Sequence, residues 1–296
     1  MATTTPGGPA GARTLLEVVR LSTAYLNDHG SDSARLDAEL LVAHALGIAR
    51  LDVYLQYDRP LDDPELGAIR ELLRRRGRGE PVAHLTGHRE FHGRSFRVTP
   101  DVLIPRPETE SLVERALLAA RERSGPLRIA DLGTGSGCLA ISLACELPAA
   151  TVIAVDLSPA ALAVAAGNAE ALGVADRVLF VEGGWVDGLV ADLDLVVSNP
   201  PYVTTAEMDE LPRDVGFEPR LALDGGPDGL DPYRLLLPAV AEFSPRAWWV
   251  GLEVDSRRAT AVAGIAGALW PEAGVSITAD LAGRPRVVEI RLGPAR

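Results

Sequence analysis

Beyond residue 126 the chain alternates between short apolar runs and longer stretches with helical periodicity. The runs are rich in Val, Ile and Leu, as buried strands are, whereas the intervening stretches space their apolar residues three and four apart. Strands are predicted at residues 127–132, 151–156, 178–181, 193–198 and 248–254, and helices at residues 138–147 and 159–171. Such alternation predicts an α/β fold, a doubly wound and mostly parallel Rossmann-like sheet with helices on both faces. A last apolar run, residues 286–292, is predicted to form a final edge strand.

The first part of the chain follows a different pattern, in which no strand interrupts the helical spacing. Leu15, Val18 and Val19 recur as one face of a helix. Further on, Phe91 precedes the segment His-Gly-Arg at 92–94, and Phe96 and Val98 alternate after it, which predicts a β-hairpin. The predicted organisation is a disordered tail at residues 1–12, a helical domain at 13–80, a β-hairpin linker at 81–105 and the sheet domain at 106–296.

Composition limits the location and the partners of the protein. The formal charge is −12, which opposes non-specific attraction to a phosphate backbone, so we expect no direct contact with nucleic acid. No apolar stretch is as long as a membrane span. Cys138 and Cys145 stand seven apart in one predicted helix, too far for a disulfide, so we expect a cytoplasmic protein. We also expect a monomer.

One cluster departs from the acidic average. Arg74, Arg75, Arg76 and Arg78 follow one another at the end of a predicted helix. They have two interpretations, a contact with nucleic acid or a solvated helix end favoured by the helix dipole, and the second is the more common.

Three histidines stand four residues apart, a spacing that would align metal ligands on a helix. His84, His88 and His92 are interrupted by Gly87 and Gly93, which argue against that helix. No Cys or carboxylate cluster completes a zinc set. We therefore predict no metal site.

A glycine-rich turn, DLGTGSGC at residues 131–138, follows the first predicted strand of the sheet domain. Glycines in such a turn let the backbone approach a ligand and leave helix N–H groups facing it. The order is G-x-G-x-G, whereas the dinucleotide form G-x-G-x-x-G would need glycine in place of Cys138. The alternative is a turn that serves only the tight crossover from strand to helix.

Asp156 ends the second predicted strand of the sheet domain, 23 residues after Gly133 (156 − 133). An acidic side chain at that position can accept hydrogen bonds from both ribose hydroxyls of a nucleoside. The alternative is a cap for the following helix. The glycines and this acid together indicate an adenosine-containing cofactor.

The fourth strand of that domain ends on SNPPYV, residues 198–203. Proline fixes its own φ and pushes the preceding residue towards an extended shape, so covalent geometry holds Asn199. The side-chain carbonyl of Asn199 and the backbone carbonyl of Pro200 can each accept one N–H of a substrate NH₂ group, and Tyr202 offers a face for a planar group. This arrangement predicts a site that aims the lone pair of an amide or arylamine nitrogen.

These motifs resemble those of S-adenosylmethionine-dependent amino-methyltransferases. Three further stretches narrow the resemblance: LTGHREFHG at 85–93, LIPRPETE at 103–110 and EPRLALDGGPDGLDPYR at 218–234. With the helical N-terminal part, they resemble the release-factor glutamine methyltransferases over nearly the whole chain.

The resemblance implies S-adenosylmethionine as cofactor and methylation of N5 of the glutamine in the Gly-Gly-Gln motif of bacterial peptide chain release factors. It implies a catalytic role for Asn199, Pro200, Pro201 and Tyr202. It implies cofactor binding by Gly133, Thr134, Gly135, Ser136, Gly137, Asp156, Trp185 and Asn199. The N-terminal helical domain is expected to select the protein substrate.

The sequence also departs from the family pattern. Gly184 stands where the family often has an Asp, and Glu182 is then a candidate substitute for recognition of the adenine amino group. In addition, the stretch LEVDSRR at 252–258 lacks the Gly and Gln that commonly follow the fifth strand in the family. Two other functions remain open. An amino-methyltransferase acting on adenine or guanine of DNA or ribosomal RNA would use the same tetrapeptide on an extruded base. A nucleoside-binding interaction module would not require it.

Overall fold

The computed structural model describes residues 13–185, 187, 193–243, 247–280 and 282–293. The predicted tail at residues 1–12 lies outside them. The chain divides into two compact units. The first extends to Gly87 and includes Arg213–Phe217, and the second comprises His88–Pro212 and the chain from Glu218 onward.

Helices make up the described N-terminal part of the first unit. They are α1 (Leu15–Asp28), α2 (Ala34–Leu46), α3 (Asp52–Leu55), α4 (Asp63–Arg76) and α5 (Val82–Thr86). Leu15, Val42 and Ile69, from α1, α2 and α4, are buried in one apolar cluster, as the helical spacing requires. Capping boxes begin α1 and α4 and satisfy backbone N–H groups that a helix start leaves free.

The arginine cluster at the end of α4 is largely ion-paired. Arg74 binds Glu71 at 2.6 Å, and Arg75 binds Glu80 at 2.5 Å. Arg76 is mostly buried and binds the buried Asp37 at 2.8 Å. Three of the four arginines are therefore ion-paired within the first unit, although the Arg74 and Arg75 side chains remain 47% and 41% exposed.

The predicted hairpin is present, but it belongs to the second unit. Strands β1 (His88–Phe91) and β2 (Arg94–Arg97) pair around His92 and Gly93, whose φ angles of 48° and 70° give the two-residue turn that twists with its strands. Phe91 and Phe96 are buried in the core of that unit. The contacts thus group α5 with the helical unit and the hairpin with the sheet, whereas the sequence predicted one linker over residues 81–105.

The second unit is built on a seven-stranded sheet. Its strands are β3 (Arg128–Leu132), β4 (Thr151–Asp156), β5 (Val178–Glu182), β6 (Leu195–Ser198), β7 (Trp249–Glu253), β8 (Gly274–Ala279) and β9 (Pro285–Arg291). The spatial order is β5-β4-β3-β6-β7-β9-β8, and β3 to β7 run parallel. The mostly parallel sheet predicted from the alternating pattern is confirmed.

Helices cover both faces of this sheet. They are α6 (Glu110–Ala120), α7 (Cys138–Glu146), α8 (Pro159–Ala171), α9 (Asp231–Phe243) and α10 (Ala259–Leu269). Leu195 and Val197 of β6 enter one apolar core and Val196 enters the other, so successive residues of a central strand are buried on opposite faces. No described helix is both long and apolar enough to cross a membrane.

The last strand is not the edge that the sequence predicted. β9 pairs with β7 on one side and with β8 on the other, both antiparallel, and β8 forms the edge. The pattern missed β8 because Ser276, Ile277 and much of that strand are exposed and give no buried apolar run. The β9 sequence is recognisably apolar because its own residues Val287, Val288 and Ile290 are fully buried.

Asn168 of α8 fastens the hairpin to the sheet domain. Its side chain is 2% exposed and accepts the N–H of Arg97 at 2.8 Å. Its Nδ2 donates to the carbonyls of Arg97 at 3.0 Å and Ser136 at 2.9 Å. One amide therefore joins β2, α8 and the glycine-rich turn.

We expect Asn168→Ala to lower the free energy of unfolding of the second unit by about 2–4 kcal/mol, because it leaves buried backbone groups without partners. Urea unfolding followed by tryptophan fluorescence measures this, since all four tryptophans lie in that unit.

The matched control is Ser142→Ala in α7. Ser142 is buried, but its hydroxyl has no hydrogen-bond partner among the described residues, so its removal should change stability little. Equal losses in the two variants would contradict the role given to Asn168.

Candidate active site

The glycine-rich turn joins β3 to α7 and is anchored on β4. The N–H groups of Gly133 and Thr134 both donate to the carbonyl of Val155, at 2.8 and 2.9 Å. Gly133, Gly135 and Gly137 have φ angles of 77°, 55° and 81°, a region that side chains other than glycine rarely adopt. The backbone of this turn is therefore fixed in a shape that these glycines permit.

The three glycines have different surroundings. A Cβ atom on Gly137 would lie 2.7 Å from Ile141 and 3.0 Å from Ala165, so this glycine serves packing between α7 and α8. A Cβ atom on Gly133 would lie 3.3 Å from the Trp185 ring. Gly135 has open space around it, which is the surface that a ligand can approach.

Thr134 and Ser136, between these glycines, are buried. The Thr134 hydroxyl donates to Asp131 at 2.7 Å, and the N–H of Ala140 donates to the same oxygen at 3.1 Å. Burial raises the pKa of Asp131 to about 7, and these two hydrogen bonds only partly oppose it. The Thr134 side chain thus anchors the turn to the buried Asp131, at the end of β3.

Asp156, at the end of β4, supports the turn directly. One oxygen accepts the N–H of Gly135 at 2.8 Å, and the other accepts that of Ser158 at 2.9 Å. The cap of α8 is Ser158, whose hydroxyl accepts the N–H of Ala161, so Asp156 does not cap this helix. Each carboxylate oxygen keeps a further lone pair for a ligand.

Asn199 follows β6 at the same edge of the sheet. Its Nδ2 donates to the Thr109 hydroxyl at 3.3 Å. Pro200 is buried. Burial of the Tyr202 hydroxyl raises its pKa to about 12, and the negative charge of Glu253 raises it by a smaller amount. The tetrapeptide is thus packed into the core, with Asn199 and Pro201 at its open side.

The stretch that follows the tetrapeptide folds back on it. The N–H of Val203 donates to Leu223, and that of Gly225 donates to Val203, at 3.0 and 2.7 Å. A Cβ atom on Gly225 would lie 2.8 Å from the carbonyl oxygen of Pro201, so glycine is required for this approach. The buried Glu218 binds Arg106 and the N–H of Ile104, which joins this stretch to the LIPRPETE segment.

One cleft of about 230 Å³ brings most of the predicted residues together. Its lining includes six of them: Gly133, Gly135, Asp156, Trp185, Asn199 and Pro201. Thr134, Ser136, Gly137, Pro200 and Tyr202 lie outside the lining, as does Glu182. Within the described residues there is no cluster of three or more side chains able to hold a metal ion.

The sequence reasoning did not assign the rest of the lining. It includes Asp101, Val102, Leu103, Pro219, Leu221, Ala222 and Asp224. Most of these residues fall in the LIPRPETE and EPRLALDGG stretches, whose density of Pro and Gly is the only sign of a fixed loop. The wall they form is mainly apolar, with two carboxylates.

Beside Trp185 the chain turns tightly. The N–H of Gly184 donates to Asp187 at 2.8 Å, and Asp187 also leaves no room for a side chain on Gly183. Gly183 and Gly184 both line the cleft next to the indole ring. This end of the cleft is therefore formed by the backbone of Gly183 and Gly184 and by the indole ring of Trp185. Residues 182–184 contribute no acidic side chain to it.

Two family models match the chain. They are the PrmC N-terminal domain, over residues 17–87, and the methyltransferase small domain, over residues 112–212. Curated relatives match over most of its length. The release factor glutamine methyltransferase of Geobacter sulfurreducens is 44% identical over 254 residues, 85% of this chain and 88% of that protein. The protein of the same name from Moorella thermoacetica is 43% identical over 277 residues, 92% of this chain and 96% of that protein.

Similar solved structures are more distant in sequence. The hMettl16 catalytic domain in complex with MAT2A 3′UTR hairpin 6 has a TM-score of 0.58 at 15% identity, covering 72% of this chain and 80% of that chain. The N-terminal domain of human METTL16 in complex with SAH has a TM-score of 0.50 at 15% identity, covering 92% and 94%. At such identities the likeness shows the fold alone.

Proposed function

This chain belongs to the release factor glutamine methyltransferase family, and from that premise we propose that it methylates N5 of the glutamine in the Gly-Gly-Gln motif of bacterial peptide chain release factors. When bound, S-adenosylmethionine would supply an electrophilic methyl group, and the electron pair of the broken carbon–sulfur bond would remain on the leaving S-adenosylhomocysteine. The glutamine nitrogen forms the new bond and releases one proton to water.

The position of Asn199 carries the proposal. Its side chain lines the same cleft as the glycine-rich turn and Asp156, and its Nδ2 is engaged with Thr109. Its Oδ1 is therefore the atom left to accept an N–H of the substrate amide, beside the carbonyl of Pro200. An amide nitrogen is a poor nucleophile, and holding it in the attack geometry can contribute several kcal/mol.

The described residues of the cleft fit S-adenosylmethionine. The free lone pairs of Asp156 would accept the ribose hydroxyls, and the open backbone at Gly135 would face the methionine end. Trp185 would flank the adenine, with Gly184 leaving room at its edge. Thr134, Ser136 and Gly137 would act indirectly, by holding the turn.

A nucleic-acid substrate is the second candidate, because an adenine amino group suits the same tetrapeptide. The charge of −12 and the ion pairs of Arg74, Arg75 and Arg76 favour the protein substrate over it. A module that only binds nucleosides would not need Asn199 to be fixed by proline. We further propose that the protein acts in the cytoplasm as a monomer, where its two free cysteines stay reduced.

Incubation of the full-length protein with methyl-labelled S-adenosylmethionine tests the function. Release factor, DNA and ribosomal RNA are supplied in separate reactions, and label should enter release factor only. In single-turnover reactions with saturating cofactor, Asn199→Ala should lower the rate at least about 10²-fold, the scale of a misplaced reactant.

Release factor with Ala in place of the Gly-Gly-Gln glutamine is the control, and it should take up no label. Labelling of DNA or ribosomal RNA in preference to release factor would overturn the proposal. A rate near that of the wild type for Asn199→Ala would mean that the tetrapeptide only ends β6.

Asp156→Ala should weaken the binding of S-adenosylmethionine by about 1.5–3 kcal/mol, as expected for lost hydrogen bonds to a charged group. Calorimetry measures it, with Asp156→Asn as the matched variant that keeps one acceptor oxygen. Unchanged affinity in Asp156→Ala would remove this residue from the cofactor site.

We also propose that the first unit selects the protein substrate. Large apolar side chains are exposed in and beside its short helix α3, where Leu51 and Leu55 are 67% and 68% exposed and Tyr57 is more than half exposed. Several large apolar side chains exposed within one short segment are a feature of surfaces that contact other proteins. The cleft residues, by contrast, all belong to the second unit.

Leu55→Asp should therefore raise KM for intact release factor about tenfold, a loss of about 1.4 kcal/mol, while KM for a short Gly-Gly-Gln peptide stays unchanged. Leu118→Asp, on the exposed side of α6 in the second unit, is the matched control. Equal KM changes for factor and peptide would contradict a separate recognition surface.

A further inference from the structure

A carboxyl group without a hydrogen-bond partner lies next to the candidate site. Glu253 ends β7 and is 1% exposed, and neither carboxyl oxygen has a partner of good geometry among the described residues. Burial raises its pKa to about 7. Because Ser198 pairs with Leu252, Glu253 and Asn199 are the next residues of two neighbouring parallel strands.

The nearby cations are engaged elsewhere. Arg106 binds Glu218 at 2.5 Å, and Arg286 reaches Asp280 at 3.4 Å, so each lowers the pKa of Glu253 only at a distance. The other titratable groups that face the carboxyl are Glu108, Tyr202, Tyr233 and Cys138. The Tyr233 hydroxyl donates to the backbone carbonyl of Glu253, at 2.8 Å, and not to its carboxyl group.

Thr109 connects this carboxyl to Asn199. It stands at the start of α6, where a threonine hydroxyl usually accepts a backbone N–H, but it makes no such cap. The residue is 2% exposed, and its hydroxyl oxygen accepts from Nδ2 of Asn199 at 3.3 Å. No hydrogen bond from the Thr109 hydroxyl to a described acceptor meets the usual geometry, but the hydroxyl is close enough to Glu253 to lower the pKa of that carboxyl. Among the groups that lower the pKa of Glu253, Thr109 has the largest effect.

The direction of these hydrogen bonds determines which end of the Asn199 amide faces the cleft. A hydroxyl has one proton, and an ionised carboxylate can only accept. When Thr109 donates to Glu253, its lone pairs are left for the NH₂ of Asn199, so the oxygen of Asn199 faces the substrate. Without the carboxylate, Thr109 could donate to that oxygen instead, and the amide would turn its NH₂ towards the substrate NH₂.

We propose that the unpartnered Glu253 carboxylate accepts the proton of the Thr109 hydroxyl, and that Glu253 is thereby a positioning residue that orients the Asn199 amide to accept from the substrate nitrogen. The inference rests on the proposed function and deepens it, because it explains how the site selects an NH₂ group. A substrate with a carboxylate in place of the amide would meet two carbonyl oxygens and be rejected.

Kinetics of the full chain separate positioning from packing. Thr109→Val should lower kcat at least about tenfold and change the Kd of S-adenosylmethionine less than twofold, whereas Thr109→Ser, which restores the hydroxyl, should stay within about threefold of the wild type. When Asn199→Ala is already present, adding Thr109→Val should not lower kcat further, because the effect of Thr109 on kcat passes through Asn199. A full tenfold loss in that background would overturn the proposal.

Glu253→Leu replaces the unpartnered carboxyl by an apolar side chain of similar size. Such a change is often neutral or stabilising, so Tm should be unchanged or higher while kcat falls at least about tenfold. A structural role would lower Tm and kcat together. Unchanged kcat would remove Glu253 from the network.

The side-chain amide resonances of Asn199, assigned by their loss in Asn199→Ala, give a readout that needs no turnover. In the wild type they should shift between about pH 6 and 8 as Glu253 titrates, and in Glu253→Leu they should not. A pH-independent wild-type signal would refute the network. If the wild type methylated no release factor, the proposed function would fail, and these resonances would still decide the orientation of Asn199.

Discussion

Parallel pairing brings the ends of β4, β3, β6 and β7 to one edge of the sheet, and every group of the candidate site depends on that edge. Leu132 pairs with Val155, and Ser198 pairs with Leu252, so the turn after β3, Asp156, Asn199 and Glu253 follow in adjacent positions. A shift of one residue in any of these pairings would turn the side chains to the opposite face. The two buried cores that flank the sheet oppose such a shift.

Asn199 is held by three kinds of constraint. Pro200 restricts its backbone covalently, and Thr109 engages its side chain. The stretch after the tetrapeptide adds a third, because Gly225 packs against the carbonyl of Pro201. That stretch is fixed in turn by Arg258, which donates to the carbonyl of Asp228 at 3.0 Å. Rigid alignment of this kind requires residues that are far apart in sequence.

Local patterns were sufficient for the parallel core of the sheet, because its strands are buried on both faces and read as apolar runs. Local patterns did not predict β8, because its exposed residues resemble those of a loop, and they did not predict that β9 lies inside the sheet between β7 and β8. The spacing of the glycines and Asp156 placed both at one cleft, but it could not show that Ser158, and not Asp156, caps α8. The proposed link between Thr109 and Glu253 spans 144 residues (253 − 109), so no local pattern in the sequence could suggest it.

Under the proposed function, the Asn-Pro-Pro-Tyr tetrapeptide would determine which chemical group is methylated, but not which molecule carries that group. Two carbonyl acceptors suit any NH₂ with a lone pair to aim, whether on an amide or on a base. Selection between these substrates must come from the walls of the cleft, where Leu103, Pro219 and Leu221 offer apolar contacts beside Asp101 and Asp224. Such walls suit the aliphatic stem of a glutamine, and their carboxylates disfavour the phosphates that accompany a base. Under the proposed function, the tetrapeptide therefore fixes the chemistry, and the two Pro-rich and Gly-rich segments around it fix the substrate class.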